Sequence, residues 1–188
     1  MPEPSQQPLI DATVRAADPL RDAAACAAIY APHVEGSVVS FEERAPDAEE
    51  MARRIERVSS THAWLVAEQE GRVVGYAYAC PFQSRPAYRW SASVSVYVAA
   101  GERGRGVGRA LYGALFDLLR RRGYRMACAG ITLPNPASVG LHESLGFAPA
   151  GVNREIGWKH GAWRDVGWWQ LELAPAGEGP PPEPLPPH

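Results

Sequence analysis

At 188 residues the chain has room for one ordinary globular domain, or at most two very small ones. Its 46% hydrophobic and 21% charged residues exclude a wholly disordered or collagen-like chain. A formal net charge of −2 gives no overall pull toward nucleic acid or an anionic membrane. The 3 cysteines, Cys26, Cys80 and Cys128, are odd in number and far apart, with no CxxC and no histidine-rich companion. That pattern argues against a disulfide framework or a metal site and points to a reducing compartment. Each cysteine lies in an apolar stretch and reads as core filler. Residues 1–10 lack the basic and apolar regions of a secretory signal, and no apolar run approaches the roughly 18 residues of a membrane span. The expectation is a cytoplasmic protein with no metal, no membrane partner and no nucleic-acid partner.

In chain order, residues 1–11 read as a flexible tail. Ala12 to Ala16 is a short strand candidate. Asp18-Pro19 supplies an N-cap and a proline at the first helical position, opening an Ala-rich helix to about Tyr30. A second helix is predicted from Pro46 to Val58, with Met51, Ile55 and Val58 on one face. Ala63 to Gln69 and Val73 to Cys80 are strands joined by a turn at Glu70-Gly71. Trp90 to Val98 is another strand, with Val94, Val96 and Val98 on one side. Val107, Ala110, Leu111, Ala114, Leu115, Leu118 and Leu119 form the apolar stripe of a long helix, closed by Arg120 to Arg122 and Gly123. Met126 to Ile131 is a strand, and a short helix spans Ala137 to Leu145. Two last strands, Val152 to Trp158 and Val166 to Leu173, have no helix between them and are expected to be antiparallel. The prediction is an α/β domain over residues 12–173 with a mixed central β-sheet flanked by helices. Residues 174–188, APAGEGPPPEPLPPH, cannot bury enough apolar surface to offset ordering entropy, so composition favours a disordered tail. Its PPxP-like character is nonetheless of the kind that docks in aromatic grooves.

The segment Arg103-Gly104-Arg105-Gly106-Val107-Gly108-Arg109 falls between a strand and a helix N-terminus. Glycines there let backbone N–H groups approach an anion, and the helix dipole favours negative charge. A P-loop fails, because no lysine and hydroxyl follow. A GxGxxG fingerprint fails from either starting glycine, since its sixth position would be Arg109 or Leu111. The pattern [Q/R]xxGxG fits as Arg103, Gly106 and Gly108.

VYVAAGERGRGVGRALY resembles the acetyl-CoA-binding core of the GNAT N-acetyltransferases. The resemblance implies the acyl-CoA N-acyltransferase fold and acetyl-CoA as co-substrate. It assigns cofactor contacts to Val96, Tyr97 and Val98 on the strand, and to Arg103, Gly104, Arg105, Gly106, Val107, Gly108 and Arg109 in the loop and helix start. LPNPASVGLHESLGF is similar to the second CoA-contacting motif, which adds Asn135 and Ser138. FEERAP, AYACPFQSRPAYRW and GWKHGAWRDVGWWQ further resemble the phosphinothricin and methionine sulfoximine N-acetyltransferases, from about Val14 to Leu173. That subfamily implies a small amino-acid-like amine as acceptor and commonly a homodimer.

Acetyl transfer to an amine needs a deprotonated nitrogen and a nearby thioester, and no covalent enzyme intermediate. His142, on the short helix, is the leading acid/base candidate, because histidine titrates in the useful range. Ser93 stands where the subfamily usually carries a glutamate, and is expected to hold a water in line with His142. Gln83 replaces a lysine found in characterised relatives, while Arg85 is retained and suits a carboxylate or phosphinate. Phe41 and Tyr88 match aromatic acceptor-pocket positions. The sequence leaves two other readings open: acetylation of a polyamine or a protein N-terminus, and a CoA-binding module without catalysis.

Overall fold

The computed structural model describes residues 12–187. Seven strands form one sheet in the order β1-β2-β3-β4-β5-β7-β6. They are β1 (Thr13–Ala16), β2 (Ala63–Gln69), β3 (Arg72–Pro81), β4 (Ser91–Val98), β5 (Met126–Leu133), β6 (Ala148–Lys159) and β7 (Ala162–Glu172). Neighbours are antiparallel except β4 and β5, which run parallel, so the sheet is mixed as expected. Four helices flank it: α1 (Pro19–Glu35), α2 (Ala48–Ser59), α3 (Val107–Arg121) and α4 (Pro136–Ser144).

The two faces bury separate cores. Leu111, Leu115 and Leu119 of α3 pack with Leu65, Ala77, Val94 and Ile131 on one face. Cys26, Ile29 and Val34 of α1 and Met51 and Ile55 of α2 cover Trp64, Val66 and Tyr76 on the other. Strand alternation therefore decides which helices each residue meets. Gly75 shows how closely α3 approaches: a Cβ there would stand 3.0 Å from the Tyr97 carbonyl oxygen and 3.0 Å from Val107.

Local chemistry explains most boundaries. Asp18 caps α1 by accepting from the N–H groups of Leu20 (2.8 Å) and Arg21 (3.0 Å). Glu70 and Gly71 both have positive φ, 49° and 75°, as a tight hairpin turn of this type requires. Three elements run further than expected. Helix α1 continues past Tyr30 to Glu35 with Pro32 inside it. The fully buried Val34 anchors that last turn, and this packing offsets the backbone bond that proline cannot donate. Strands β6 and β7 begin several residues before the predicted starts. Strand β6 is the outer strand, exposed along almost its whole length, and its first residues, Ala148 to Gly151, carry no apolar alternation to mark them as strand.

The expected N-terminal tail lies outside the described residues. Residues 174–187 carry neither helix nor strand, yet hydrogen bonds join them to Trp90 and Arg122. All three cysteines are free thiols. Among the described residues no helix is long and apolar enough to cross a membrane.

Candidate active site

Strands β4 and β5 pair only at Ser91–Met126, Ala92–Ala127 and Ser93–Cys128. Beyond that point β4 stays bonded to β3, and β5 to β7, but the two parallel strands part. One edge of β4 from Val94 to Val98 is thus left with unpaired N–H and C=O groups inside the sheet. Such an edge accepts an extended amide-bearing chain as it would another strand. The cleft is lined by Val94 to Tyr97 of β4, Ala129 to Thr132 of β5, Asn135, Ser138, His142 and Tyr112. Through Val96, Tyr97, Asn135 and Ser138 it joins a cavity of about 1080 Å³.

That larger cavity gathers nearly every residue expected to hold the cofactor: Val96, Tyr97, Val98, Arg103, Gly104, Gly106, Val107, Gly108, Arg109, Asn135 and Ser138. Arg105 departs from the expectation; its guanidinium turns away to Glu102 at 2.8 Å and it does not line the cavity. Gly106 is the N-cap of α3 at φ 85°, a conformation that favours glycine, and no side chain caps the first N–H groups. An anion satisfies those groups and the positive end of the helix together. Arg109, by contrast, is tied to Ser144 Oγ at 2.8 Å. His33 also lines this cavity, though no sequence motif marked it. Its Nε2 is buried without a partner.

His142 is buried, at 4% exposure, and both ring nitrogens are engaged. The Ser138 carbonyl lies 2.7 Å from Nδ1 and can only accept, so Nδ1 carries the hydrogen. Nε2 is then a lone-pair acceptor, and the Tyr112 hydroxyl donates to it at 3.0 Å. Burial lowers the His142 pKa below the usual value, against a smaller opposite pull from the Ser138 carbonyl. Tyr112 was missed in the sequence. It lies beside Leu111 in the α3 stripe, where an aromatic reads as packing, and only α4 reveals its hydroxyl's partner.

The expected partnership of Ser93 with His142 is not formed. Ser93 sits directly across from Cys80 and alternates with Ala92 and Val94, so it shares a face with Ser95 and Tyr97. His142 contacts Tyr112 and Phe147 on the α3 face. Ser95, two residues on, is the serine that lines the cleft. The face bearing Ser93 carries a second cavity of about 630 Å³, walled by Tyr30, Trp64, Tyr76, Tyr78, Cys80 and Tyr97. Arg54 lies at its rim but is already paired with Glu42 at 2.7 Å and Glu50 at 2.9 Å.

The three expected acceptor residues do not line these cavities; the Tyr88 N–H donates to the Arg85 carbonyl at 3.0 Å within one turn, and Phe41 lies in a different loop. The Phe41 ring lies on Gly157, 2.2 Å from where a Cβ would stand. Tyr88 is exposed and packs edge-on against Phe82 at 5.9 Å, which meets Trp168 at 6.0 Å. Trp168 in turn covers Gly130 of the cleft, 3.3 Å from a Cβ position. Arg85 is exposed in the same loop. Tyr88 is thus linked to the cleft through Phe82 and Trp168. Lys159, at the tip of the β6–β7 hairpin, is buried and donates to the carbonyls of Val34 (2.7 Å) and Glu42. It thereby fixes the loop carrying Phe41.

Burial also lowers the pKa values of His33 and His62, with Arg103 and Arg122 adding smaller pulls in the same direction. An unfolded histidine takes up its proton as pH falls through about 6.5. The folded state resists, so stability is full above that pH and declines below it until the folded pKa is reached. Glu42 and Glu68, held low chiefly by Arg54 and Arg15, lose their contribution only at more acid pH. The melting temperature should therefore drop between pH 7.5 and 5.5, before carboxylate protonation begins. Superimposable melts at the two values would refute this linkage.

Residues 15–168 match the Acetyltransferase (GNAT) domain family. Over 152 residues the chain is 40% identical to a phosphinothricin N-acetyltransferase of Streptomyces viridochromogenes, covering 81% of this chain and 83% of that protein. It is 36% identical over 162 residues to an L-methionine sulfoximine/L-methionine sulfone acetyltransferase of Salmonella typhimurium, covering 86% and 94%. The crystal structure of a GNAT superfamily phosphinothricin acetyltransferase from Sinorhizobium meliloti in complex with AcCoA superposes with a TM-score of 0.87 at 35% identity, over 93% of this chain and 95% of that one. A parted β4–β5 pair beside an uncapped glycine-led helix, together with these likenesses, establishes that the chain belongs to the GNAT acetyltransferase family.

Proposed function

We propose that the protein transfers acetyl from acetyl-CoA to the primary amine of a small amino-acid-like acceptor of the phosphinothricin or methionine sulfoximine type. The observation that carries this reading is that the cavity at the uncapped start of α3 and the cleft between the parted strands at His142 share the walls Val96, Tyr97, Asn135 and Ser138. Acetyl-CoA supplies an activated thioester there, and net transfer exchanges its C–S bond for a C–N bond and moves one proton from amine to sulfur. Val96, Tyr97 and Val98 offer backbone groups to the amides of its arm. The first N–H groups of α3, with Arg103, face its diphosphate. The site's volume and the missing helix cap both suit such a guest.

His142 and Tyr112 are proposed to handle one of the proton movements. Neutral His142 accepts from the Tyr112 hydroxyl. As the hydroxyl hydrogen passes to Nε2, the Tyr112 oxygen takes a proton from the acceptor ammonium, and the protonated ring then donates to the re-formed hydroxyl. The buried cysteines are unsuited to nucleophilic roles; burial pushes the Cys26 thiol up to about 12. Arg85 is exposed in the loop before β4 and suits an acidic acceptor's carboxylate or phosphinate. The outer hairpin, with Val152, Ile156 and Trp158 of β6 and Trp163 of β7 exposed at 50–59%, supports a homodimer built on that edge.

The test is a thiol-release assay with acetyl-CoA and a panel of amines. Turnover is expected on phosphinothricin or methionine sulfoximine, and none on spermidine or an alanine-ended peptide. Turnover on either of the last two alone would replace the acceptor reading. No turnover on any amine, with acetyl-CoA bound, would favour a module without catalysis.

Ser93 gives a second test. A glutamate on that face would stand beside Cys80 and Ser95, on the tyrosine side of β4, where it can attract an ammonium group. Ser93→Glu should raise kcat/KM near pH 7 about tenfold and flatten its rise with pH, a fraction of the roughly 10²–10⁴-fold of a tuned general base. If the variant folds, binds acetyl-CoA normally and turns over no faster, Ser93 is not at the acceptor amine.

A further inference from the structure

The proline-rich end of the chain lies along the far edge of the domain, where β4 and β5 begin. Trp90 Nε1 donates to the Pro182 carbonyl at 2.7 Å. Arg89 pairs with Glu183, and its guanidinium lies over the Trp90 ring, 4.8 Å from the centroid. The Leu185 N–H donates to the Arg122 carbonyl at 2.8 Å. The Arg122 guanidinium bridges two segments, donating to the carbonyls of His62 and Pro187 at 2.5 Å each. Gly123, at φ 84°, leaves a floor without a side chain, and Pro184 Cα lies 4.0 Å from the position its Cβ would take.

The two partly covered residues of this segment are three apart. Pro184 and Pro187 are partly covered, while Pro181, Pro182, Glu183, Leu185 and Pro186 are exposed. A polyproline II helix has three residues per turn, so residues 184 and 187 fall on one face. The segment has no internal hydrogen bonds to satisfy its carbonyls. An indole N–H and an arginine fork reading those carbonyls are the chemistry by which aromatic grooves recognise such a helix.

We propose that Arg89, Trp90, Arg122 and Gly123 form a polyproline-binding groove, and that its occupant is residues 182–187 of the same chain. Proline-rich sequence loses little entropy on docking, because its backbone is already extended. That explains how a segment with so little apolar surface is held. The consequence falls on the 82–90 loop, whose last two residues are the groove's wall. Docking fixes the end of that loop at its entry into β4.

The test compares the full chain with a version ending at Pro175, which loses no helix or strand. The protein has 6 tryptophans, and the Trp90 indole N–H resonance is assigned with Trp90→Phe. Truncation is expected to shift that resonance and to speed chymotrypsin cleavage after Tyr88 about fivefold, as local opening becomes easier. A synthetic peptide of residues 177–188 should restore both at about millimolar concentration, the range a short tether supplies within one chain. The same peptide with alanine at positions 184 and 187 should not. An unmoved Trp90 resonance with unchanged cleavage would overturn the proposal. So would a resonance position in the full chain that depends on protein concentration, since the occupant would then be a second copy. Neither readout involves turnover, so this test stands apart from the acetyltransferase reading.

Discussion

His142→Ala is expected to lower kcat by about 10²-fold, with little change in the KM for acetyl-CoA. The argument rests on the two fixed bonds of the ring. With Nδ1–H held by the Ser138 carbonyl at 2.7 Å, the only nitrogen able to take a proton is Nε2. Among the described residues, Tyr112 is the hydrogen-bond partner of that nitrogen, at 3.0 Å. Tyr112→Phe keeps the ring that stacks on Phe116 and removes the one hydroxyl able to pass a hydrogen onward. It should therefore cost most of what His142→Ala costs, and the double variant should add little, because the two act as a unit. A packing role would behave differently. Tyr112 is fully buried, and loss of its hydroxyl would then lower the melting temperature without changing the pH profile. The discriminating measurement is kcat against pH. The parent should lose activity on the acid side with a midpoint below the ordinary histidine value, since burial disfavours the charged ring. Both variants should lack that limb. If either retains the parent's profile and rate, the pair is structural and the proton takes another route.

Much of this site was legible before any coordinates. The glycine loop, the strand before it and the helix after it are contiguous in sequence, and local chemistry fixes how they join. Their residues accordingly meet in one cavity, Arg105 excepted. Relations between distant segments were not legible. Period-two alternation puts Ser93 and Ser95 on one face of β4, but not which face α4 covers, so Ser93 was paired with a histidine on the opposite side. Tyr112 looked like stripe because a helix pattern records burial and is silent about a hydroxyl's partner. Arg85 and Tyr88 share one turn of the loop before β4, while Phe41 comes from the loop between α1 and α2. Phe41 is fixed instead against Gly157 of the β6–β7 hairpin, a contact between segments more than a hundred residues apart that no local pattern records. The proline-rich end shows the same limit. Composition measures the surface a segment can bury, and here the segment is held by its carbonyls.

Gly106→Val is expected to abolish protection by acetyl-CoA while leaving a folded protein. In the parent, ligand at about a hundred times its Kd contributes about 2.7 kcal/mol, a rise of roughly 5–10 °C in the melting temperature for a domain of this size. Gly106 is the N-cap of α3 at φ 85°. A valine there costs about 1–2 kcal/mol in the left-handed region. It also adds a branched side chain where the backbone must approach an anion. The strain lowers the basal melting temperature, so the decisive quantity is the shift on adding ligand. Gly108→Val, the substitution the motif first suggests, tests something else. A Cβ at Gly108 would face inward, 3.2 Å from Leu141 and 3.8 Å from Val98, so that variant mainly overpacks the seam between α3, α4 and β4. Gly104→Ala is the useful control. Its φ of 73° carries a similar backbone penalty, but no atom lies within 4 Å of the new Cβ. It should melt lower than the parent and still be protected. Protection of Gly106→Val equal to the parent's would remove the start of α3 from the cofactor site. Loss of protection in Gly104→Ala as well would mean that loop conformation, and not obstruction at the helix start, governs binding.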